Sequence, residues 1–215
     1  MDIPDPDKVL TDLSPIHGVL YESLEHGAFK AKKFFSREFG DKEPICPYWG
    51  AHTIRLCTRR KLIGLGHAVT DEDADHEIAT ETLPLNGLCI TFTRRRLRIL
   101  KSDGGGLPVP SSDDRIAFYH QQGYLFTPAG SMAPSKSVNL VVTWDVDADY
   151  NLRPLRLVMP KSGGRRRELV AEYWSREIPY PDALGGQTGK KMTTPPTEDL
   201  PYGLKEKAEG KDSND

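Results

Sequence analysis

The chain has few cysteines, no long apolar run and almost no net charge. Its 215 residues include three cysteines and carry a formal charge of -2. No basic-then-apolar leader opens the sequence, and no apolar stretch approaches the ~20 residues that cross a bilayer. Three cysteines without paired spacing argue against a disulfide framework, so we expect a cytoplasmic protein with no membrane association.

The chain also lacks the residue spacings of the common active sites. Neither His-Glu-x-x-His nor paired Cys-x-x-Cys occurs, and the acid- and histidine-rich stretch 67–77 has the composition of a solvated helix start. The glycine-rich loop 102–106 lacks the Gly-Lys-Ser/Thr order of a phosphate-binding loop. We therefore predict no metal site, no cofactor and no identifiable small-molecule ligand. The sequence does not decide whether the chain is an enzyme.

Composition divides the chain into three parts. Residues 1–14 are rich in aspartate and contain two prolines, and residues 179–215 are rich in proline, glycine and charge. Neither end has the apolar periodicity needed to offset the entropy lost on ordering. We predict a disordered N-terminal segment over 1–14, a single domain over 15–178 and a disordered C-terminal tail over 179–215.

Two helices are predicted from capping residues and apolar spacing. Ser14 and Pro15 form a helix start, and apolar residues then recur every three or four positions up to Phe35. Gly27 predicts a break within this helix, and a glycine at position 40 ends it. Ser112 caps a second, shorter helix.

The remaining apolar segments indicate strands. Residues 88–92 and 97–100 form the clearest hairpin signal, and 138–144 is an apolar, β-branched run typical of a central strand. Residues 52–57 are also predicted as a strand, and 169–175 as the last strand rather than a helix. Together the patterns predict an α+β fold: a mainly antiparallel sheet of hairpins, with an N-terminal helix and a second helix packed on one side.

Three short segments resemble an uncharacterised class of small bacterial proteins. They are the sequences Arg98-Ile99-Leu100-Lys101-Ser102-Asp103, Ala117-Phe118-Tyr119 and Trp144-Asp145-Val146-Asp147. The segments lie between residues 97 and 161, about a third of the chain. The resemblance implies a bacterial source and assigns no activity and no site residue.

The aspartates Asp145, Asp147 and Asp149 allow three interpretations. With Gly130 and Ser131 upstream, the first two resemble the paired aspartates with which nucleotidyltransferases bind two metal ions for phosphoryl transfer. In that family, however, the aspartates open a strand, whereas here they follow one. An EF-hand loop is excluded by its missing glycine and glutamate. The third interpretation is a hairpin turn, in which aspartate and asparagine bind their own backbone, and it fits the sequence best.

Basic residues are concentrated in three short runs, at residues 59–61, 94–96 and 165–167. Between residues 82 and 176 there are fourteen Lys or Arg against eight Asp or Glu. Arginine suits bidentate contacts with phosphate, and each run lies where we expect a bend between strands. In a simple meander the bends at 59–61, 94–96 and 145–151 would share one end of the sheet, with 165–167 at the opposite end. The predicted nucleic-acid-binding residues are Arg59, Arg60, Lys61, Arg94, Arg95, Arg96, Arg98 and Lys101.

The leading functional hypothesis is a cytosolic bacterial accessory protein that binds nucleic acid through these arginine-rich bends. One alternative is a protein-interaction component of a toxin-antitoxin or phage-encoded pair that binds its partner through the tails. Another is a metal-dependent phosphoryl-transfer enzyme that uses Asp145 and Asp147.

Overall fold

The computed structural model describes residues 3–40, 47–66, 79–83, 87–92, 95–121, 138–161, 166 and 168–181. Three helices and six strands lie in these ranges. They are α1 (Pro6–Phe39), α2 (Pro47–Gly66), β1 (Ala79–Leu83), β2 (Gly87–Phe92), β3 (Arg95–Lys101), α3 (Asp113–Tyr119), β4 (Val138–Trp144), β5 (Arg156–Pro160) and β6 (Glu172–Glu177). The predicted α+β class, with a mainly antiparallel sheet and an N-terminal helix, is confirmed.

The six strands form one sheet in chain order, from β1 to β6. Four of the five neighbouring pairs are antiparallel, whereas β3 and β4 run parallel, with Arg95 opposite Val138 and Lys101 opposite Trp144. A parallel pair needs a crossover connection, and the segment between β3 and β4 contains α3. The sheet is therefore not the simple meander that the sequence suggested.

Helix α1 begins earlier than predicted. Asp5 is its N-cap, and the Asp5 carboxylate accepts hydrogen bonds from the backbone N–H groups of Asp7 and Lys8. Residues 6–14 are helical, so the prediction that 1–14 is disordered is wrong over this part. Val9 and Leu13 are buried in the core, and their burial stabilises the additional turns.

The predicted break at Gly27 is also wrong, because α1 is continuous from Pro6 to Phe39. Gly27 instead marks the place where α1 and α2 approach most closely. A Cβ atom at this position would lie 2.7 Å from the Ile54 carbonyl oxygen and even closer to Thr58 Oγ1. Glycine here lets the two helices contact each other through their backbones.

The strand predicted at 52–57 and the bend predicted at 59–61 are both part of α2. The buried positions Ile54, Thr58 and Leu62 are four residues apart, which places them on one side of a helix. The β-branched residues in this segment favoured a strand in the sequence pattern. Packing against α1 overrides that local preference.

The two faces of the sheet pack against different helices. Alternate residues of the central strands, such as Ile99, Val142 and Leu157, belong to a large apolar core that includes α1 and α2. The residues next to them in each strand, such as Val141 and Val158, belong to a smaller apolar cluster that includes Phe118 and Tyr119 of α3. We call these surfaces the α1 face and the α3 face.

Several boundaries agree with the sequence pattern. Ser112 is the N-cap of α3, its hydroxyl accepting from the Arg115 N–H at 3.3 Å. The last segment is a strand, β6, as predicted. Residues 67–78, with the acid- and histidine-rich stretch, and residues 182–215 of the predicted tail lie outside the described residues.

Candidate functional site

Of the eight residues predicted to bind nucleic acid, the seven that the structure describes do not lie on sheet bends. Arg59, Arg60 and Lys61 are in the last part of α2. Arg95 and Arg96 are not bend residues but the first two residues of β3, and Arg98 and Lys101 follow them in the same strand. Arg94 lies outside the described residues.

The strand β3 sends its basic residues to opposite sides of the sheet. Arg95 lies on the α1 face and forms an ion pair with Asp12 of α1 at 2.5 Å. Lys101 has the same parity as Arg95, while Arg96 and Arg98 have the parity of the α3 face. On α2, Lys61 is paired with Glu22 at 2.9 Å. The predicted set is therefore divided among several surfaces.

The ends of the sheet also differ from the expected arrangement. Because β3 and β4 are parallel, the β2–β3 and β5–β6 connections share one end, and the β4–β5 connection lies at the other. The described basic residues of two runs, Arg95 and Arg96 of β3 and Arg166 of the β5–β6 connection, are thus at the same end, opposite the aspartate turn at 145–151. Within the second run, exposed Arg166 contacts Asp113 at 3.4 Å, and residues 165 and 167 lie outside the described part.

A different group of arginines is brought together by the fold. We define the arginine cluster as Arg55 of α2, Arg98 of β3 and Arg115 of α3. Burial lowers the pKa of Arg98, and the charge of Arg115 lowers it further. The pKa of Arg55 is likewise lowered by burial and by Arg115. The guanidinium group of Arg115 therefore repels those of Arg55 and Arg98, both of which are partly desolvated.

The hydrogen bonds of the arginine cluster are incomplete. Arg98 is only 7% exposed. The Nε–H groups of Arg55, Arg98 and Arg115 are buried and have no hydrogen-bond partner within the described ranges. The guanidinium of Arg98 lies over the ring of Phe118 at 5.7 Å, and Arg115 donates one bond to the Val109 carbonyl at 3.1 Å.

No carboxylate in the described part of the chain forms an ion pair with Arg55, Arg98 or Arg115. Asp114 raises the pKa of Arg98, but less than burial and Arg115 lower it. A buried cation without a partner costs several kcal/mol, so an external anion at this place would remove the cost. Forked guanidinium donors fit the oxygens of a phosphate group.

Two exposed aromatic residues lie at the start of α2, and one of them, Tyr48, is near Arg55 of the arginine cluster. Tyr48 is 70% exposed and Trp49 is 61% exposed. Tyr48 is close enough to Arg55 to act on its pKa, and its ring is parallel to that of His52 at 6.4 Å. Exposed rings next to guanidinium groups provide a surface on which flat ligands stack.

Arg98 was among the predicted residues, but Arg55, Arg115, Tyr48 and Trp49 were missed. The sequence holds a signal for Arg98 alone, because it interrupts an apolar strand, where arginine is rarely buried. No spacing in the sequence connects Arg55 and Arg115 to it. Only the folded topology brings α2, β3 and α3 together.

The aspartates form a turn, as the third interpretation predicted. Both oxygens of Asp147 accept hydrogen bonds, from the backbone N–H groups of Asp149 and Asn151 and from the Asn151 side chain, each at 2.9 Å. The Asn151 bonds are the main reason that the pKa of Asp147 is lowered. Asp145 lies 4.0 Å from Arg153. No three metal-ligating side chains come together among the residues described.

The glycine-rich loop 102–106 closes on itself. Asp103 and Gly106 exchange two backbone hydrogen bonds, at 3.1 and 3.3 Å, and Gly104 and Gly105 have positive φ. The N–H groups of Asp103 and Gly106 are therefore engaged with backbone oxygens of the same loop. The loop acts as a tight turn.

Comparisons of this chain with models of known protein families, with curated proteins and with solved structures find no match. Among the helices that the structure describes, none has the length and apolar character to cross a membrane.

Proposed function

We propose that this protein binds nucleic acid, and that the arginine cluster holds the phosphate backbone. The observation that supports the proposal most is the set of three buried Nε–H donors on Arg55, Arg98 and Arg115, which have no partner in the described residues. Three elements supply these residues, so the fold itself assembles the positive charge. Phosphate oxygens would accept from the free donors and neutralise the repulsion between the guanidinium groups.

The exposed rings of Tyr48 and Trp49 support the same proposal. A backbone held at the arginine cluster would bring bases within reach of α2, where Tyr48 lies beside Arg55. Stacking of bases on aromatic rings depends little on sequence. We therefore propose recognition of backbone and base planes rather than of a particular base sequence.

The proposal is tested by fluorescence anisotropy with a labelled single strand of about 20 nucleotides, titrated at several salt concentrations. Replacing Arg115 by glutamine removes one charge of the cluster, from the half-buried first turn of α3. We expect affinity to fall about tenfold and the salt slope to decrease by about one. The matched control is Arg153→Gln, an exposed arginine that does not belong to the arginine cluster, which should change affinity less than about twofold.

Affinity that does not depend on salt, or an Arg115→Gln variant that binds as well as the Arg153→Gln control, would exclude this function. Tyr48→Ala provides a second reading, because loss of stacking should weaken binding by about tenfold without changing the salt slope.

The other hypotheses have less support from the described residues. The phosphoryl-transfer hypothesis needs Asp145 and Asp147 as metal ligands, and Asp147 already uses both oxygens within its turn. The hypothesis of a protein partner bound through the tails depends on residues outside the described ranges. A bacterial source and a cytoplasmic location stay predictions from the sequence.

A further inference from the structure

A cavity of about 710 Å³ lies at the end of the sheet opposite the β2–β3 connection. Its walls come from the C-terminal half of α1, the start of α2, the end of β3 and the β4–β5 turn. A cavity of this size is in the range of small-molecule sites. None of its lining residues belongs to the arginine cluster, although one wall comes from the start of α2, which also carries Tyr48 and Trp49.

The cavity has hydrogen-bond donors that are not used within the fold. Trp144 lines it and is only 1% exposed, yet its indole Nε1–H has no partner in the described part of the chain. Lys32 and Lys101 also line it and form no ion pair with a described carboxylate. A ligand that accepts hydrogen bonds and carries negative charge would satisfy all three groups.

Tyr150 adds a further donor in a fixed position. Burial raises the pKa of its hydroxyl, so the hydroxyl is protonated at neutral pH. Its backbone has a φ of 63°, a left-handed conformation that non-glycine residues seldom adopt. Gly50 of α2 makes room for the ring, because a Cβ atom there would lie 3.1 Å from the Tyr150 hydroxyl oxygen. Strain of this kind is held where surrounding contacts require one placement.

Two acidic residues also line the cavity. The Asp147 carboxylate accepts the hydrogen bonds that hold the β4–β5 turn. Asp149 is on the exposed part of the same turn. The apolar part of the lining includes Ile54 and the ring of Tyr150, which stacks on Phe35 at 6.3 Å.

We infer that this cavity binds a small organic carboxylate with a flat apolar body. The carboxylate is held by the ammonium of Lys101, with Lys32 as a second cation, and by the Trp144 and Tyr150 donors. The apolar body lies against the Ile54 side and the aromatic wall. This assignment does not depend on nucleic-acid binding.

The test compares two ligands with the same ring system, naphthoate with a charged carboxylate and naphthamide with a neutral amide, each titrated into the full chain by isothermal titration calorimetry. We expect naphthoate to bind about tenfold more tightly than naphthamide. Lys101→Met should remove most of that preference while naphthamide binding changes less than about twofold. Tyr150→Phe, which keeps the ring, should weaken naphthoate by several-fold, on the order of a single hydrogen bond.

Lys33→Met is the matched control, because Lys33 is the neighbouring exposed lysine of α1 and does not line the cavity. It should bind both ligands as the unchanged protein does. Equal binding of naphthoate and naphthamide would overturn the inference, as would a Lys101→Met variant that keeps its preference and unfolds at the same temperature. Displacement of naphthoate by inorganic phosphate at equal concentration would contradict the carboxylate assignment.

The same Lys101→Met variant separates this site from the proposed function. Its affinity for the labelled single strand should be unchanged, because Lys101 does not belong to the arginine cluster and has the opposite parity to Arg98 on β3. A Lys101→Met variant that binds naphthoate as before but loses binding of the labelled single strand would contradict the cavity assignment. It would show that Lys101 belongs to the nucleic-acid site.

Discussion

The two faces of the sheet differ in whether their arginine side chains have an ion-pair partner among the described residues. On the α1 face, a large apolar core packs against two long helices, and Arg95 at its margin is paired with Asp12. On the α3 face, one short helix covers a smaller apolar cluster, and Arg98 is buried without an ion-pair partner in the described residues. The first face has the properties of a stabilising core. On the second face, the buried charge of Arg98 lowers the stability of the fold, and such a cost is expected at a binding surface.

The largest change in the free energy of unfolding is expected from a substitution where α1 and α2 contact each other. Gly27→Ala places a methyl group against the Ile54 carbonyl and Thr58 Oγ1, so α1 and α2 must separate. We expect the free energy of unfolding to fall by about 3 kcal/mol, near the upper end for overpacking. Urea denaturation followed by circular dichroism measures this change.

Gly18→Ala is the control for that variant, because it lies in the same helix with open space around it. Its nearest neighbour would be Pro181 Cγ at 3.9 Å. Alanine should therefore stabilise the helix by about 0.5–1 kcal/mol. Two alanine variants with the same effect would show that the helices do not contact each other at Gly27.

A second effect concerns His17, which is buried in α1 with neither ring nitrogen bonded to a described residue. Burial lowers the pKa of His17 from 6.5 to about 4. Below pH 6.5 the unfolded chain takes up a proton that the folded chain takes up only near pH 4. Stability is therefore lost as the pH falls between these values, by about 3 kcal/mol.

The measurement is the free energy of unfolding of the unchanged protein and of His17→Leu at several pH values. The difference between them should grow in favour of the leucine variant as the pH falls from about 6.5 to about 4. A difference that does not depend on pH over this range would mean that folding leaves the pKa of His17 unchanged.

The smallest effect concerns the paired arginine of the α1 face. Arg95→Met removes the ion pair with Asp12, a pair that is partly exposed, with side chains 19% and 36% accessible. We expect a loss of about 0.5–1 kcal/mol after allowance for solvent screening. A double-mutant cycle with Asp12→Asn measures the pair itself. A gain in stability from Arg95→Met would remove the distinction between the two faces.

Much of the sheet could be predicted from local patterns. The apolar run that became β4, the β2–β3 hairpin and the Ser112 cap each depend on neighbouring residues, and the structure has all three. Helix α2 was wrongly predicted as a strand, because β-branched residues favour strands locally while the helix depends on contacts with α1. The start of α1 was misplaced because Asp5-Pro6 and Ser14-Pro15 carry the same capping signal.

The direction of β4 and the arginine cluster could not be predicted for a common reason. Both depend on the crossover connection between β3 and β4, because this connection makes the two strands parallel and so decides which strand ends lie side by side. Arg55, Arg98 and Arg115 lie on separate elements, and no local rule relates them. The aspartate turn, in contrast, depends on hydrogen bonds between residues two to four positions apart, and its residues could be interpreted from sequence.

The most direct test of the account is Arg98→Met, measured in both stability and binding. Methionine keeps an apolar side chain of similar length against Phe118 and removes the buried charge. If Arg98 serves binding, we expect a free energy of unfolding that is unchanged or higher by about 1 kcal/mol. We also expect about tenfold weaker binding of the labelled single strand. A variant that loses about 2 kcal/mol or more of stability while binding the strand as before would show that Arg98 serves the fold, and it would contradict the assignment of the α3 face to binding.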